Sequence, residues 1–146
     1  MVQPFSQQLV MFAVSGRRLA FPADAVAELV LEPALESPPE MPTVLAGLFN
    51  LRGRVVPVVR PDRLLGLPPP AAGLFRTLLV INGRDGPWAL LAERALAVVE
   101  ADAAEAAPAD VSFDDCVVAM HAAPEGAVPV LSPDRLVRRR EAQVLA

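Results

Sequence analysis

A mainly β fold built from two like halves is what this sequence predicts, and three observations predict it. The first is an internal repeat. Val55-Val56-Pro57-Val58-Val59-Arg60-Pro61-Asp62-Arg63-Leu64-Leu65 returns 72 residues later as Ala127-Val128-Pro129-Val130-Leu131-Ser132-Pro133-Asp134-Arg135-Leu136-Val137, with seven of eleven positions identical. The second is a fainter echo, in which Gly16 to Val26 runs parallel to Gly86 to Leu96. The third is a series of short apolar runs, each ended by turn residues. Self-similarity at a fixed offset is a stronger fold signal than any single motif. Short strands with regular turns in two equivalent sets suggest two small β-barrels or a sandwich.

Leu9 to Val14 is an apolar run that stops at Ser15-Gly16 and returns through Arg17 to Phe21, a hairpin signature. Ala25 to Glu32 reads as a third strand with imperfect alternation. Glu28, Glu32, Glu36 and Glu40 fall four apart, which is a helical spacing. Pro33, Pro38 and Pro39 interrupt it, so the stretch after the strand reads as a solvated acidic loop. Gly47 to Leu51 and Arg54 to Val59 form a second hairpin about Arg52-Gly53. Pro57 places the returning strand at an edge or beside a bulge.

Each Val-Pro-Val strand leads into the same helix start. Ser132-Pro133-Asp134 supplies a hydroxyl N-cap, proline at the first helical position and a carboxylate in the first turn. Arg60-Pro61-Asp62 repeats it with a poorer cap, and that helix stops by Gly66-Leu67-Pro68 in the linker 68–73. Thr77 to Ile81 opens the second half and returns through Trp88 to Glu93, and Ala95 to Glu100 follows. Residues 101–115 read as an acidic, alanine-rich surface connection. Val117 to Ala122 and Ala127 to Leu131 make the last hairpin. The domain is expected over 8–140, with halves at 8–67 and 74–140 and tails at 1–7 and 141–146.

Composition excludes several classes. No apolar run approaches the ~18 residues needed to span a bilayer, and no cationic stretch followed by an apolar run opens the chain. One cysteine, Cys116, rules out an internal disulfide and suits a reducing cytoplasm. All 13 basic residues are arginine and the net charge is −4, which argues against nucleic-acid binding.

The search for chemistry yields no catalytic, metal or cofactor site. His121 is the single histidine, and a lone cysteine makes no metal-binding pair. Cys116 and His121 lie five apart on a predicted strand, and odd spacing sends them to opposite faces. They read as a buried cysteine and a surface histidine. Arg135, Arg138, Arg139 and Arg140 crowd the last helix as a solvated face or a partner-docking patch.

The stretch Gly47-Leu48-Phe49-Asn50-Leu51-Arg52-Gly53-Arg54-Val55-Val56-Pro57-Val58-Val59 resembles the signature of the CheW-like family of chemotaxis coupling proteins: Gly, two aliphatic positions, Asn-Leu-Arg-Gly, an aliphatic pair and Pro-Val. Val26-Ala27-Glu28-Leu29 looks like the family's Val-x-Glu-aliphatic segment. The resemblance covers roughly residues 8–140. It implies two interlocked, SH3-like, five-stranded β-barrel subdomains with short helices and no catalysis. It also implies a cytoplasmic scaffold that couples the signalling tip of methyl-accepting chemoreceptors to the regulatory domain of a histidine kinase. No membrane insertion and no small-molecule substrate are expected. The receptor-facing residues carried over are Val26, Glu28, Gly47, Asn50, Arg52 and Gly53, and the kinase is expected at an apolar end of the first subdomain. Arg60-Pro61-Asp62 departs from the family's Asp-Leu-Arg, and Ala92-Glu93 from its aliphatic-Asp pair. The rival reading is a small-ligand β-barrel, or an enzyme using the cleft between the halves.

Overall fold

The computed structural model describes residues 6–70, 76–102 and 113–145. Ten strands and two helices follow in order: β1 (Ser6–Val14), β2 (Arg17–Pro22), β3 (Val26–Leu31), β4 (Leu45–Leu51), β5 (Arg54–Val59), α1 (Pro61–Leu65), β6 (Thr77–Gly83), β7 (Gly86–Ala92), β8 (Arg94–Asp102), β9 (Val117–Ala123), β10 (Gly126–Leu131) and α2 (Pro133–Leu145). Two hairpins turn on consecutive positive-φ residues, Ser15-Gly16 and Arg52-Gly53. That geometry matches the natural twist of paired strands. Ser132 caps α2 through a 3.3 Å bond from the Arg135 amide. Arg60 makes no such bond at α1, which ends on the left-handed Gly66.

The strands form two five-stranded sheets, ordered β8-β1-β2-β10-β9 and β3-β6-β7-β5-β4. Each repeat is contiguous in sequence, but neither sheet is. β1 and β2 of the first half join β8, β9 and β10 of the second, while β6 and β7 join β3, β4 and β5. A division into 8–67 and 74–140 therefore describes the repeats and not the sheets. The exchange happens over very short connections. Only Glu93 separates β7 from β8, and its amide bonds the Ala13 carbonyl while its carboxylate accepts from Gly16 N at 2.9 Å.

Strand register defines which residues are equivalent. Val58 pairs with Ala89 and Val130 with Ala20, so Ala20 corresponds to Ala89, an offset of 69. The echo from Gly16 is thus shifted by one residue from its apparent sequence alignment. The bulges repeat as well. β3 slips against β6 between Val26 and Glu28, and β8 slips against β1 between Ala95 and Ala97. β4 slips between Leu45 and Gly47, and β9 between Val117 and Ala119.

Both faces of each sheet bury apolar side chains, because strands alternate sides with a period of two. Val10, Phe12 and Phe21 from one sheet meet Val59, Leu79 and Leu90 from the other in a shared central cluster. Phe49, Val56, Val58 and Leu78 fill a separate cluster on the other face of the second sheet. Leu9, Met11, Val128 and Val130 do so for the first. Pro57 lies on an interior strand and not at an edge, and it sits beside the β4 bulge, the other place expected for it. Leu48, its partner on β4, directs its own amide and carbonyl toward Glu36, so Pro57 needs no donor toward β4. Pairing of β5 to β7 covers Val58 and Val59 alone, so no donor is needed on that side either.

Two further expectations change at their edges. The connection expected over 101–115 begins as the end of β8 and finishes with the buried Phe113 and a 3-10 turn at Asp114–Cys116; residues 103–112 lie outside the described set. Residues 141–145, set outside the expected domain, continue helix α2, as its start at Ser132-Pro133-Asp134 allows.

Candidate functional site

The chain leaving β3 crosses to the opposite edge of its own sheet. Glu36 and Leu48 exchange reciprocal backbone bonds of 2.9 and 2.8 Å, so the segment expected to be a free acidic loop stitches onto β4. Gly47 permits this crossing. A Cβ there would sit 2.8 Å from Leu35 Cβ and 2.9 Å from the Glu36 carbonyl oxygen, closer than real side chains approach.

The same closure brings β3 to the β4–β5 turn. Arg52 reaches Glu28 through both terminal nitrogens, Nη2 at 2.5 Å and Nη1 at 3.4 Å. Asn50 Oδ1 accepts from Gly53 N at 2.7 Å and locks the turn, in which Gly53 takes φ +89°. Arg52 itself holds φ +51°, a left-handed conformation costly for a residue with a Cβ. Its side chain is 73% exposed, and that of Glu28 31%. Hydrogen bonding from the Arg52 guanidinium holds the Glu28 carboxyl below its ordinary 4.5 despite some desolvation. The same bond raises the Arg52 pKa.

Of the six carried-over residues, Glu28, Asn50, Arg52 and Gly53 form one bonded corner. Gly47 lies under the crossing segment, and Val26 is half-buried against the central cluster at the β3 bulge. The repeat serves as an internal control. By strand register Glu28 corresponds to Ala97, Asn50 to Ala122 and Arg52 to Pro124, so the second half folds the same way without this corner. The same architecture thus forms in the second half without this ion pair. Sequence reading missed the outward stripe beside it: Leu29 and Leu31 of β3 are exposed, and Leu29 at 45% corresponds to Val98 of β8 at 61%. Aligning the repeats on the offset of 69 would have matched the two.

Cys116 is buried, and its thiol is pushed up to about 11, chiefly by desolvation and further by the neighbouring Asp115. His121 sits on β9, half-exposed. Among the described residues no group of three or more His, Cys, Asp or Glu is arranged to hold a metal ion. No described helix is long and apolar enough to cross a membrane.

This geometry stands beside clear likenesses. No curated protein matches the chain by sequence. The crystal structure of scaffolding protein TtCheW from Thermoanaerobacter tengcongensis superposes with a TM-score of 0.82 at 17% identity, covering 92% of this chain and 89% of that one. The family model of the CheW-like domain matches residues 8–141, nearly the whole sequence, and the chain belongs to that family.

Proposed function

We propose that this chain is a non-enzymatic scaffold of a chemosensory system, coupling the signalling tip of chemoreceptors to the regulatory domain of a histidine kinase in the cytoplasm. Membership of the CheW-like family supports that role. The observation that carries the assignment of the site is the Glu28–Arg52 corner, which has no counterpart in the second half. Arginine is favoured at interface anchor positions, because its planar fork makes several directed bonds. Here Glu28 orients the guanidinium while leaving it mostly in solvent. The receptor helix is assigned to Arg52 and Glu28, with Val26, Gly47, Asn50 and Gly53 as the residues that shape and hold this corner.

The kinase domain is assigned to the apolar end of the same sheet. There Pro33, Ala34, Leu48, Phe49 and the exposed Val55, with Glu36 and Asn50 at its polar side, line a groove of about 400 Å³. A buried ligand site finds less support. The cavity bounded by Val14, Arg60, Asp62 and Leu91 measures about 30 Å³, whereas small-molecule sites run to several hundred and enclose their ligand.

The test is a pair of titrations, one with a receptor-tip fragment and one with the kinase regulatory domain. Arg52→Ala is expected to weaken the receptor by roughly tenfold or more while leaving the kinase unchanged, in the manner of an interface hot spot. Val55→Glu is expected to do the reverse. Wild-type receptor affinity in Arg52→Ala removes Arg52 from the interface. Failure of the unaltered protein to bind either partner refutes the scaffold reading.

A further inference from the structure

A second groove, of about 440 Å³, opens between the β5 and β6–β7 region and helix α2. Its rim holds four guanidinia: Arg54 at the start of β5, Arg84 in the β6–β7 turn, and Arg138 and Arg140 on α2. None of the four makes an ion pair among the described residues, although Asp85, Asp134 and Glu141 line the same groove. The other two α2 arginines near this end are engaged in holding the helix down. Arg139 Nε donates to the Leu64 carbonyl at 2.7 Å and its Nη1 to Asp115, while Arg135 donates to the Asp115 and Val117 carbonyls. Helix α2 therefore divides its cations between a packing face and a groove face.

The groove wall also contains Trp88, which is 3% exposed. Its indole nitrogen is the one buried side-chain polar atom without a partner among the described residues. Packing does not require that nitrogen, because the equivalent position in the first repeat is Leu19, fully buried in the same central cluster. Gly83 lies against that edge of the ring. A Cβ on it would stand 2.9 Å from Cδ1 and 3.2 Å from Nε1, so the turn carries no side chain over the donor. Arg54 corresponds to Gly126, and α1 ends before it could supply counterparts of Arg138 and Arg140. Like the Glu28–Arg52 corner, this arrangement exists in one half alone.

We propose that this groove docks an acidic segment of a protein partner, its carboxylates held by Arg54, Arg84, Arg138 and Arg140. Guanidinium pairs with carboxylate in a bidentate fork, and four unpaired guanidinia form a local cationic excess on a chain of net charge −4. Four cations are too few for a nucleic-acid track on an otherwise acidic molecule. The open side of the groove suits an extended segment better than an enclosed small molecule. The proposal does not rest on the receptor or kinase assignments: its four arginines belong to neither, and Val55 alone lines both this groove and the one assigned to the kinase.

Trp88 is the single tryptophan and there is no tyrosine, so its fluorescence reports directly on the groove wall. A short glutamate peptide titrated at low ionic strength is expected to shift Trp88 emission saturably, and added salt to reverse the shift. The Arg54→Gln/Arg138→Gln double variant is expected to weaken binding by roughly tenfold with an unchanged melting temperature. Glu141→Gln, which removes a competing carboxylate without removing a cation, is expected to tighten it about twofold and gives an independent reading if the double variant folds poorly. Arg52→Ala is expected to leave it unchanged. An absent response to the peptide, equal affinity in the double variant, or tighter binding of inorganic phosphate or a single-stranded oligonucleotide than of the peptide overturns the proposal.

Discussion

Replacing Gly47 with alanine tests the closure of the β3–β4 sheet. The added Cβ would lie 2.8 Å from Leu35 Cβ and 2.9 Å from the Glu36 carbonyl, against an ordinary contact of 3.4 Å or more. Neither neighbour is the end of a flexible side chain, so the crossing segment itself must retreat by about half an ångström. That movement stretches both Glu36–Leu48 bonds, now 2.9 and 2.8 Å, toward the limit of useful geometry. Two weakened backbone bonds cost about 1 kcal/mol each, and overpacking adds about 1 more. The total of about 3 kcal/mol corresponds to a melting temperature lower by about 6–12 °C in a chain of this length. Circular dichroism melts measure the shift, and amide exchange at Glu36 and Leu48 localises it. Gly53→Ala provides the contrast, since nothing lies within 4 Å of its added Cβ and the cost is conformational alone. It should leave those two amides protected. A Gly47→Ala protein that melts within about 2 °C of wild type with both amides protected would refute the reasoning.

The Glu28 carboxyl should titrate below 4.5 in the intact protein and rise in Arg52→Ala, as followed by NMR of the side-chain carboxyl; an unmoved titration would mean the pair does not persist in solution. Because its folded pKa is depressed, the contribution of the pair is present above pH 4.5 and is lost as pH falls through the lower folded value. Cys116, with its thiol near 11, should react with a disulfide reagent at pH 8 no faster than the protein opens, and ready labelling of folded protein would contradict its burial. Its folded pKa is raised, so the associated stability holds below pH 9 and declines as pH climbs toward 11.

Much of the fold was legible because the chain marks its own turns. Ser15-Gly16 and Arg52-Gly53 carry the positive φ that hairpins demand, and Ser132-Pro133-Asp134 announces α2. The repeat revealed two equivalent units, but similarity alone does not say which strand pairs with which. Exchange between halves depends on where Glu93 sends the chain, and no local pattern encodes that. Pro57 announced the β4 bulge beside it but left its interior position open. A proline needs only an unpaired amide side, and an interior strand supplies one where its neighbour diverges. Glu36 was hidden too, because its contribution to closure is through backbone atoms that carry no side-chain signature. The candidate corner was found through the Asn-Leu-Arg-Gly stretch and the Glu28 segment, while their contact across 24 residues belongs to the closed sheet alone.

The strand exchange also bears on how a scaffold could work. Each sheet contains strands from both halves, so the halves cannot separate without breaking the pairings of β1 with β8 and of β3 with β6, and the short connections from β2 to β3 and from β7 to β8 tie the two sheets to each other. The shared cluster between them, with Phe12 stacked on Phe21 at 5.1 Å between ring centroids, adds apolar burial to that constraint. Dense packing of this kind resists small displacements. The surfaces assigned to partners, all on the second sheet and the helix beside it, are accordingly held at fixed separation, which is what a protein needs if it is to set the geometry between partners. The equivalence of the repeats then separates two kinds of residue. Val58 and Val130, or Pro57 and Pro129, recur because the fold requires them at both places. Glu28, Arg52, Arg54 and Trp88 have Ala97, Pro124, Gly126 and Leu19 as their counterparts, so the fold manages without them once and their retention in one half calls for another cause. The binding roles proposed for them supply such a cause, since the two places where the symmetry breaks with charged or unsatisfied groups are the receptor corner and the arginine-rimmed groove.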